Sequence, residues 1–131
     1  MVKKRKDFQE ISSIAEPIAI EEATLTNDVK SILEEIKTDT QIIGYILRNS
    51  TSAAIDLKDP TKIVDYAILS STSFEASDEV SKLFDLGETK DMVIEGKEVK
   101  VLTLRVGENK ISVFLEKDAD HGKILRKLHS S

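Results

Sequence analysis

Residues 59–86 read DPTKIVDYAILSSTSFEASDEVSKLFDL, and the reading of this stretch decides the fold. Asp59 is a residue type that caps helices, and Pro60 suits the first helical position, where a missing N–H costs nothing. Gly87 follows as a terminator, since glycine enters the left-handed conformation that ends many helices. The stretch therefore predicts one long helix over Asp59–Leu86. Its apolar residues (Ile63, Val64, Ala67, Ile68, Leu69, Phe74, Ala76, Val80, Leu83 and Phe84) fall on more than one face. Its middle holds the small residues Ser70, Ser71, Ser73 and Ser77. A helix of this pattern is expected to pack on its own sheet with one side and on something else with another, the small side chains allowing close approach.

On both sides of this helix the apolar rhythm is that of strands. Gln41–Leu47 is dense in apolar residues, as a central strand is, and Gly44 within it signals close approach by another element. Arg48-Asn49-Ser50-Thr51 is a polar turn, and Ala53, Ala54, Ile55 and Leu57 make a short second strand. After the helix come Met92-Val93-Ile94, a turn at Glu95-Gly96-Lys97, and then an alternating strand over Glu98–Val106. In that strand Leu102, Leu104 and Val106 share one face, and Val99, Val101, Thr103 and Arg105 the other. Gly107-Glu108-Asn109-Lys110 is a hairpin turn into a last strand with Ile111, Val113 and Leu115.

Further out, Leu25–Lys37 is helical by its stripe of Leu25, Val29, Ile32, Leu33 and Ile36. A closing helix carries Ile124, Leu125 and Leu128, with Asp118 or Asp120 as its cap. The fold class expected is α+β: a single five-stranded, mostly antiparallel sheet with one long and two shorter helices in the order α-β-β-α-β-β-β-α. Residues 1–22 are expected to be an N-terminal extension, partly flexible, and residues 23–131 the folded domain.

Composition narrows the function. The chain of 131 residues is about one domain long. The apolar fraction of 40% is ordinary for a globular protein. Without cysteine there is no disulfide, no thiolate nucleophile and no Cys-bound zinc. The net charge of −5 argues against a general nucleic-acid binder. No apolar run approaches the roughly 18 residues of a membrane span. The basic start at Lys3-Lys4-Arg5-Lys6 is broken by Asp7, Gln9 and Glu10 rather than followed by an apolar core, so no secretory signal is expected and the cytoplasm is the expected location.

The residue sets that carry chemistry are missing. His121 and His129 lie about two helical turns apart, too far to share a metal. The five glycines show no phosphate-loop spacing, and no serine sits in a nucleophile elbow. The acidic pairs Glu34-Glu35 and Asp78-Glu79 fall on solvated helix faces, where carboxylates do no acid–base work. Tyr45, Tyr66 and Phe74 are too dispersed to stack nucleic-acid bases. Arg48, in the first turn, reads either as an ordinary exposed arginine or as the one basic residue positioned for a partner. No cofactor, no metal and no enzymatic activity are expected.

The element order resembles the Roadblock/LC7 family. The likeness is carried by Ile42-Ile43-Gly44-Tyr45-Ile46-Leu47, by the turn into Ala53-Ala54-Ile55, by the small-residue centre Ala67, Ser70, Ser71 and Ser73, and by Ala119-Asp120-His121-Gly122-Lys123-Ile124-Leu125-Arg126. It covers roughly Leu25–Leu128. The sequence departs from the family at Arg48-Asn49-Ser50-Thr51, which lacks the family's glycine, and in having serine where alanine is usual in the long helix. The resemblance implies a non-catalytic scaffold or adaptor that dimerises, as a homodimer or with a related subunit, by pairing third strands across a two-fold axis beside antiparallel long helices. It implies interface positions at Ser70, Ser71, Phe74, Ser77 and Asp78 on the helix and Met92, Val93 and Ile94 on the strand. It also implies a small Ras-like GTPase as a partner to bind or regulate, with Arg48, Arg105 and Arg126 equally placed as contributing arginines. The alternative is a small-molecule sensor domain of PAS/GAF-like or profilin-like layout, which needs a cavity lined by polar groups under the long helix.

Overall fold

The computed structural model describes residues 28–129. The chain divides into two units at Ser31/Ile32; the features below belong to the second, apart from the opening turn of one helix. The expected extension over residues 1–22 lies outside the described residues, as does Leu25.

The first helix, α1, covers residues 28–36 as described. It leads into β1 (Ile42–Arg48) and β2 (Ala53–Leu57), a hairpin whose turn is closed by Asn49. The Asn49 side-chain oxygen accepts from the backbone N–H of Thr51 and of Ser52, each at 2.9 Å. A single 3₁₀ turn, Pro60–Lys62, opens α2 (Ile63–Leu83). Then follow β3 (Asp91–Glu95), β4 (Val99–Val106), β5 (Asn109–Glu116) and α3 (His121–His129). The strands form one sheet in the order β2-β1-β5-β4-β3, every pairing antiparallel. The expected architecture and element order hold.

The sheet is covered on both faces. On one face Ile46, Leu57, Val101 and Phe114 form a cluster against Tyr66, Ala67 and Leu69 of α2. On the other, Leu47, Leu102, Leu104, Ile111, Val113 and Leu115 are buried together with Leu33 and Ile36 of α1 and Ile124 and Leu128 of α3. The middles of β4 and β5 are therefore buried on both sides, as in central strands.

Gly44 has a steric reason. A Cβ there would lie 2.4 Å from the Asp56 carbonyl oxygen and 2.7 Å from the Leu57 Cα, so β2 approaches β1 too closely for any side chain. The register beside it shifts at Ile43, a β-bulge that turns this residue toward the α2 cluster.

Several boundaries differ from the expectation: Arg48 ends β1 instead of opening the turn, and the α-helix proper starts at Ile63, after the 3₁₀ turn. The α-helix ends at Leu83 rather than Leu86, and Asp85 already takes the left-handed conformation at φ 53°, two residues before Gly87 at φ 75°. Leu86 N–H then bonds the Ser81 carbonyl at 3.0 Å and Phe84 N–H the Val80 carbonyl at 3.1 Å, closing the last turn. Asn109 and Lys110 belong to β5, leaving a two-residue turn in which Gly107 has φ 61°. Of the two candidate caps of α3, Asp120 fills the role, accepting from Lys123 N–H at 3.2 Å.

Candidate interaction surface

Helix α2 turns a small, hydroxyl-lined side to the sheet. Ser70, Ser73, Ser77 and Ser81 are buried. The Ser70 and Ser112 hydroxyls share a buried hydrogen bond of 2.6 Å between helix and β5, while Ser73 donates to the Leu69 carbonyl at 2.7 Å. Tyr66 stacks on Phe114 with ring centroids 4.5 Å apart. The Ser70–Ser112 bond and the Tyr66–Phe114 stack join α2 to β5 on the side where the sensor alternative would need a cavity.

The apolar bulk of α2 is left facing outward. Val64, Ile68, Leu83, Phe84 and, just past the helix, Leu86 are each 61–70% exposed, with Val80 and Ile63 less so. A monomer gains nothing by exposing so many large apolar side chains along one element. At the border of the sheet β3 bonds only to β4 among the described residues. Among the described residues its second backbone edge is unpaired, and Ile94 on this strand is exposed.

The eight interface positions implied by the resemblance therefore separate. Ser70, Phe74 and Ser77 are buried against the chain's own sheet, at 2–3% exposure, and offer a partner no surface. Ser71 is exposed, while Asp78 is half-buried. Met92 and Val93 are half-buried and Ile94 exposed, all three on the edge strand. The outward row of Val64, Ile68, Val80, Leu83 and Phe84 was missed as a surface.

Charged groups set off the ends of this surface. Arg105 donates to Asp78 at 2.8 Å and to the Thr89 carbonyl at 2.8 Å, tying α2 and the following loop to β4. Arg48, Arg105 and Lys110 place their cations 5.7, 5.2 and 5.8 Å from the centre of the Phe74 ring, within cation–π range. His129 Nε2 lies 3.5 Å from an Asp91 carboxylate oxygen, linking α3 to the start of β3. Lys100 is buried and donates to the Ala119 carbonyl at 2.6 Å, with His121 Nδ1 3.1 Å away. On the far face Tyr45 donates to Glu34. Burial first, then that bond and the nearby carboxylate charges, lifts the Tyr45 phenol well above the usual tyrosine range. Hydrogen bonds from Thr61 hold the Asp59 carboxyl below its ordinary range. Among the described residues no cluster of His, Cys, Asp and Glu could hold a metal ion. No described helix is long and apolar enough to cross a membrane.

No family model matches the sequence, and no curated protein does. Solved structures do match the fold. A Roadblock/LC7 domain from Streptomyces avermitilis superposes with a TM-score of 0.62 at 13% identity, over 76% of this chain and 88% of that one. The fold is Roadblock/LC7-like. MglB from Myxococcus xanthus gives a TM-score of 0.61 at 15% identity over 79% of this chain and 87% of its own. The gliding protein MglB from Thermus thermophilus gives 0.60 at 17% over the same shares. At these identities the Roadblock/LC7 likeness is one of architecture: five strands, a long helix on one face and two shorter ones on the other.

Proposed function

We propose that this Roadblock/LC7-like chain is a non-catalytic scaffold that pairs with a second copy of itself, or with a related subunit, through the outer side of α2 and the open edge of β3. The observation that carries the reading is the exposed apolar row on α2. Val64 and Leu83 lie nearly equally far from the middle of the helix, as do Ile68 and Val80. Two copies packed antiparallel would bring Val64 and Ile68 of one against Leu83 and Val80 of the other. Asp65 and Lys82 would come level across the same axis with opposite charges. Thr72 and Ala76, small and exposed, would stand where the helices cross. A two-fold contact uses the same patch twice, and this patch is self-complementary in that sense. Edge strand β3 supplies the backbone groups that a partner strand satisfies.

The Roadblock/LC7 resemblance extends the reading to a small Ras-like GTPase as the client of the assembled scaffold. One structure matching this fold at a TM-score of 0.60 is described as MglB with a tetrameric arrangement, which supports self-association as a property open to this architecture. Light scattering on the full chain tests the first step: the wild type should have the mass of a dimer, and Val93→Asp on the edge strand should lower it. An affinity pull-down from the host, run with GDP and with GTP, tests the second. A GTPase retained with either nucleotide supports the client assignment, and none retained with both rejects it.

A further inference from the structure

A second surface lies away from the outer row of α2. The sheet register aligns three cations side by side on the face beneath that helix: Arg48 of β1 stands opposite Lys110 of β5, and Lys110 opposite Arg105 of β4. Like charges placed directly across strands repel. Arg105 is answered by Asp78 at 2.8 Å and by Glu88 at 4.0 Å. Arg48 and Lys110 are not: among the described residues no carboxylate lies within the 4.0 Å of an ion pair. Both are half-buried, and their one described side-chain partner is the face of Phe74, which supplies a weak electrostatic attraction. Two unanswered cations, partly withdrawn from water in a chain of net charge −5, form a site short of an anion.

The ground beside them is apolar and open. Helix α2 lies over β5 and β4, as the Tyr66–Phe114 stack, the Ser70–Ser112 bond and the Asp78–Arg105 pair mark out. The margin of the same face at the start of β2 is left uncovered, whereas Leu57 at its end is buried. There Ala53 stands opposite Arg48, and Ile55 opposite Ile46. Ala53 is exposed and Ile55 is 41% exposed.

We infer that Arg48 and Lys110 bind a carboxylate presented by an acidic, partly apolar peptide segment of another protein, whose apolar residue lies on Ile55. The planar guanidinium of Arg48 suits a carboxylate held by two parallel hydrogen bonds, with Lys110 adding a point charge. The site is separate from the pairing surface of α2 and β3 and does not depend on it.

The probe is a fluorescein-labelled peptide of alternating Glu and Leu, followed by anisotropy with the full chain, alongside a matched peptide with Gln for Glu. Acetate and phosphate are titrated separately, with amide NMR shifts as the readout. The Glu peptide is expected to bind the wild type, and R48Q/K110Q to bind it at least about tenfold more weakly, the loss that follows when charge-assisted hydrogen bonds go. Lys97→Gln, on the exposed β3–β4 turn, should bind as the wild type does. Amide shifts should centre on β1, β2 and β5. Circular dichroism and melting confirm that R48Q/K110Q is folded, and each single variant serves as a second test. Equal binding by R48Q/K110Q, equal binding of the Gln peptide, an equal loss in Lys97→Gln, or no binding at millimolar peptide would each overturn the assignment. Acetate or phosphate saturating the site more tightly than the peptide would overturn the peptide as the ligand. Light scattering is run in parallel: an unchanged mass for R48Q/K110Q shows that the two surfaces act separately.

Discussion

Replacing Leu83 by Asp should separate the copies without unfolding either one. Leu83 is 70% exposed in the single chain, so the monomer draws little packing from it. In an antiparallel pairing of α2 the same side chain would be covered. Burying most of an exposed leucine is worth roughly 1–2 kcal/mol. The two-fold axis counts the loss twice, giving roughly 2–4 kcal/mol, or about 30- to 1,000-fold in dissociation constant. The carboxylates that replace the leucines would also have to leave water, so this range is a lower bound. The effect on the fold is smaller: an acid in the last helical turn opposes the helix dipole by about 0.3–1 kcal/mol. That shifts the melting midpoint by only a few degrees, about 2–5 °C for a domain of this size. Leu83→Ser removes the dipole term and should still weaken pairing by at least tenfold. The assay is sedimentation velocity across a dilution series, with thermal melting of the same samples. A wild type that stays monomeric at high concentration, or an L83D chain that pairs as tightly as the wild type, would refute the pairing surface.

Three further outcomes follow from contacts within the chain. Gly44→Ala forces a Cβ into the backbone of β2, and denaturant titration should show a loss of about 2–3 kcal/mol, the upper part of the overpacking range. Ser70→Ala leaves the buried Ser112 hydroxyl without its partner and should cost about 1–3 kcal/mol; S70A/S112A removes both hydroxyls and should cost less than the two single variants added together, as a double-mutant cycle would show. The Tyr45 phenol keeps its proton in the fold to higher pH than in the unfolded chain, where tyrosine titrates near about 10. Its contribution to stability is therefore fully present below that value and is lost as pH rises toward the folded value, so unfolding midpoints should fall through the alkaline range and Tyr45→Phe should flatten that fall.

The strands and helices were legible because their physics is local. Alternation over Glu98–Val106, the Asp59-Pro60 start and the glycine in β1 each have one steric or hydrogen-bonding reading, and the structure shows each. The end of α2 was not legible, because an aspartate entering the left-handed region leaves no mark on the sequence, whereas the glycine two residues later draws the eye. The orientation of α2 was the larger miss. Serine is polar, and a row of serines reads as a face meant for solvent or for a second helix. Here Ser112 on β5 offers a hydroxyl to Ser70, so the polar row can be buried and the apolar row is displaced outward. That exchange depends on a strand more than 40 residues away, which no helical periodicity contains. Arg48 stood out in the sequence as part of a turn, whereas it ends β1, and its alignment with Lys110 is a matter of sheet register that could not be read locally.

The five-stranded sheet has two borders, and joining β3 to β3 uses only one of them. A joined pair would present β2 at both ends of a ten-stranded span, a shape that invites further copies to add on without limit. Asp56 on that outer strand, held by Lys37, sets a charged pair along each end. In the proposed pairing, a charged border of this kind would keep the assembly finite, so that it would close as a discrete particle instead of growing into a ribbon.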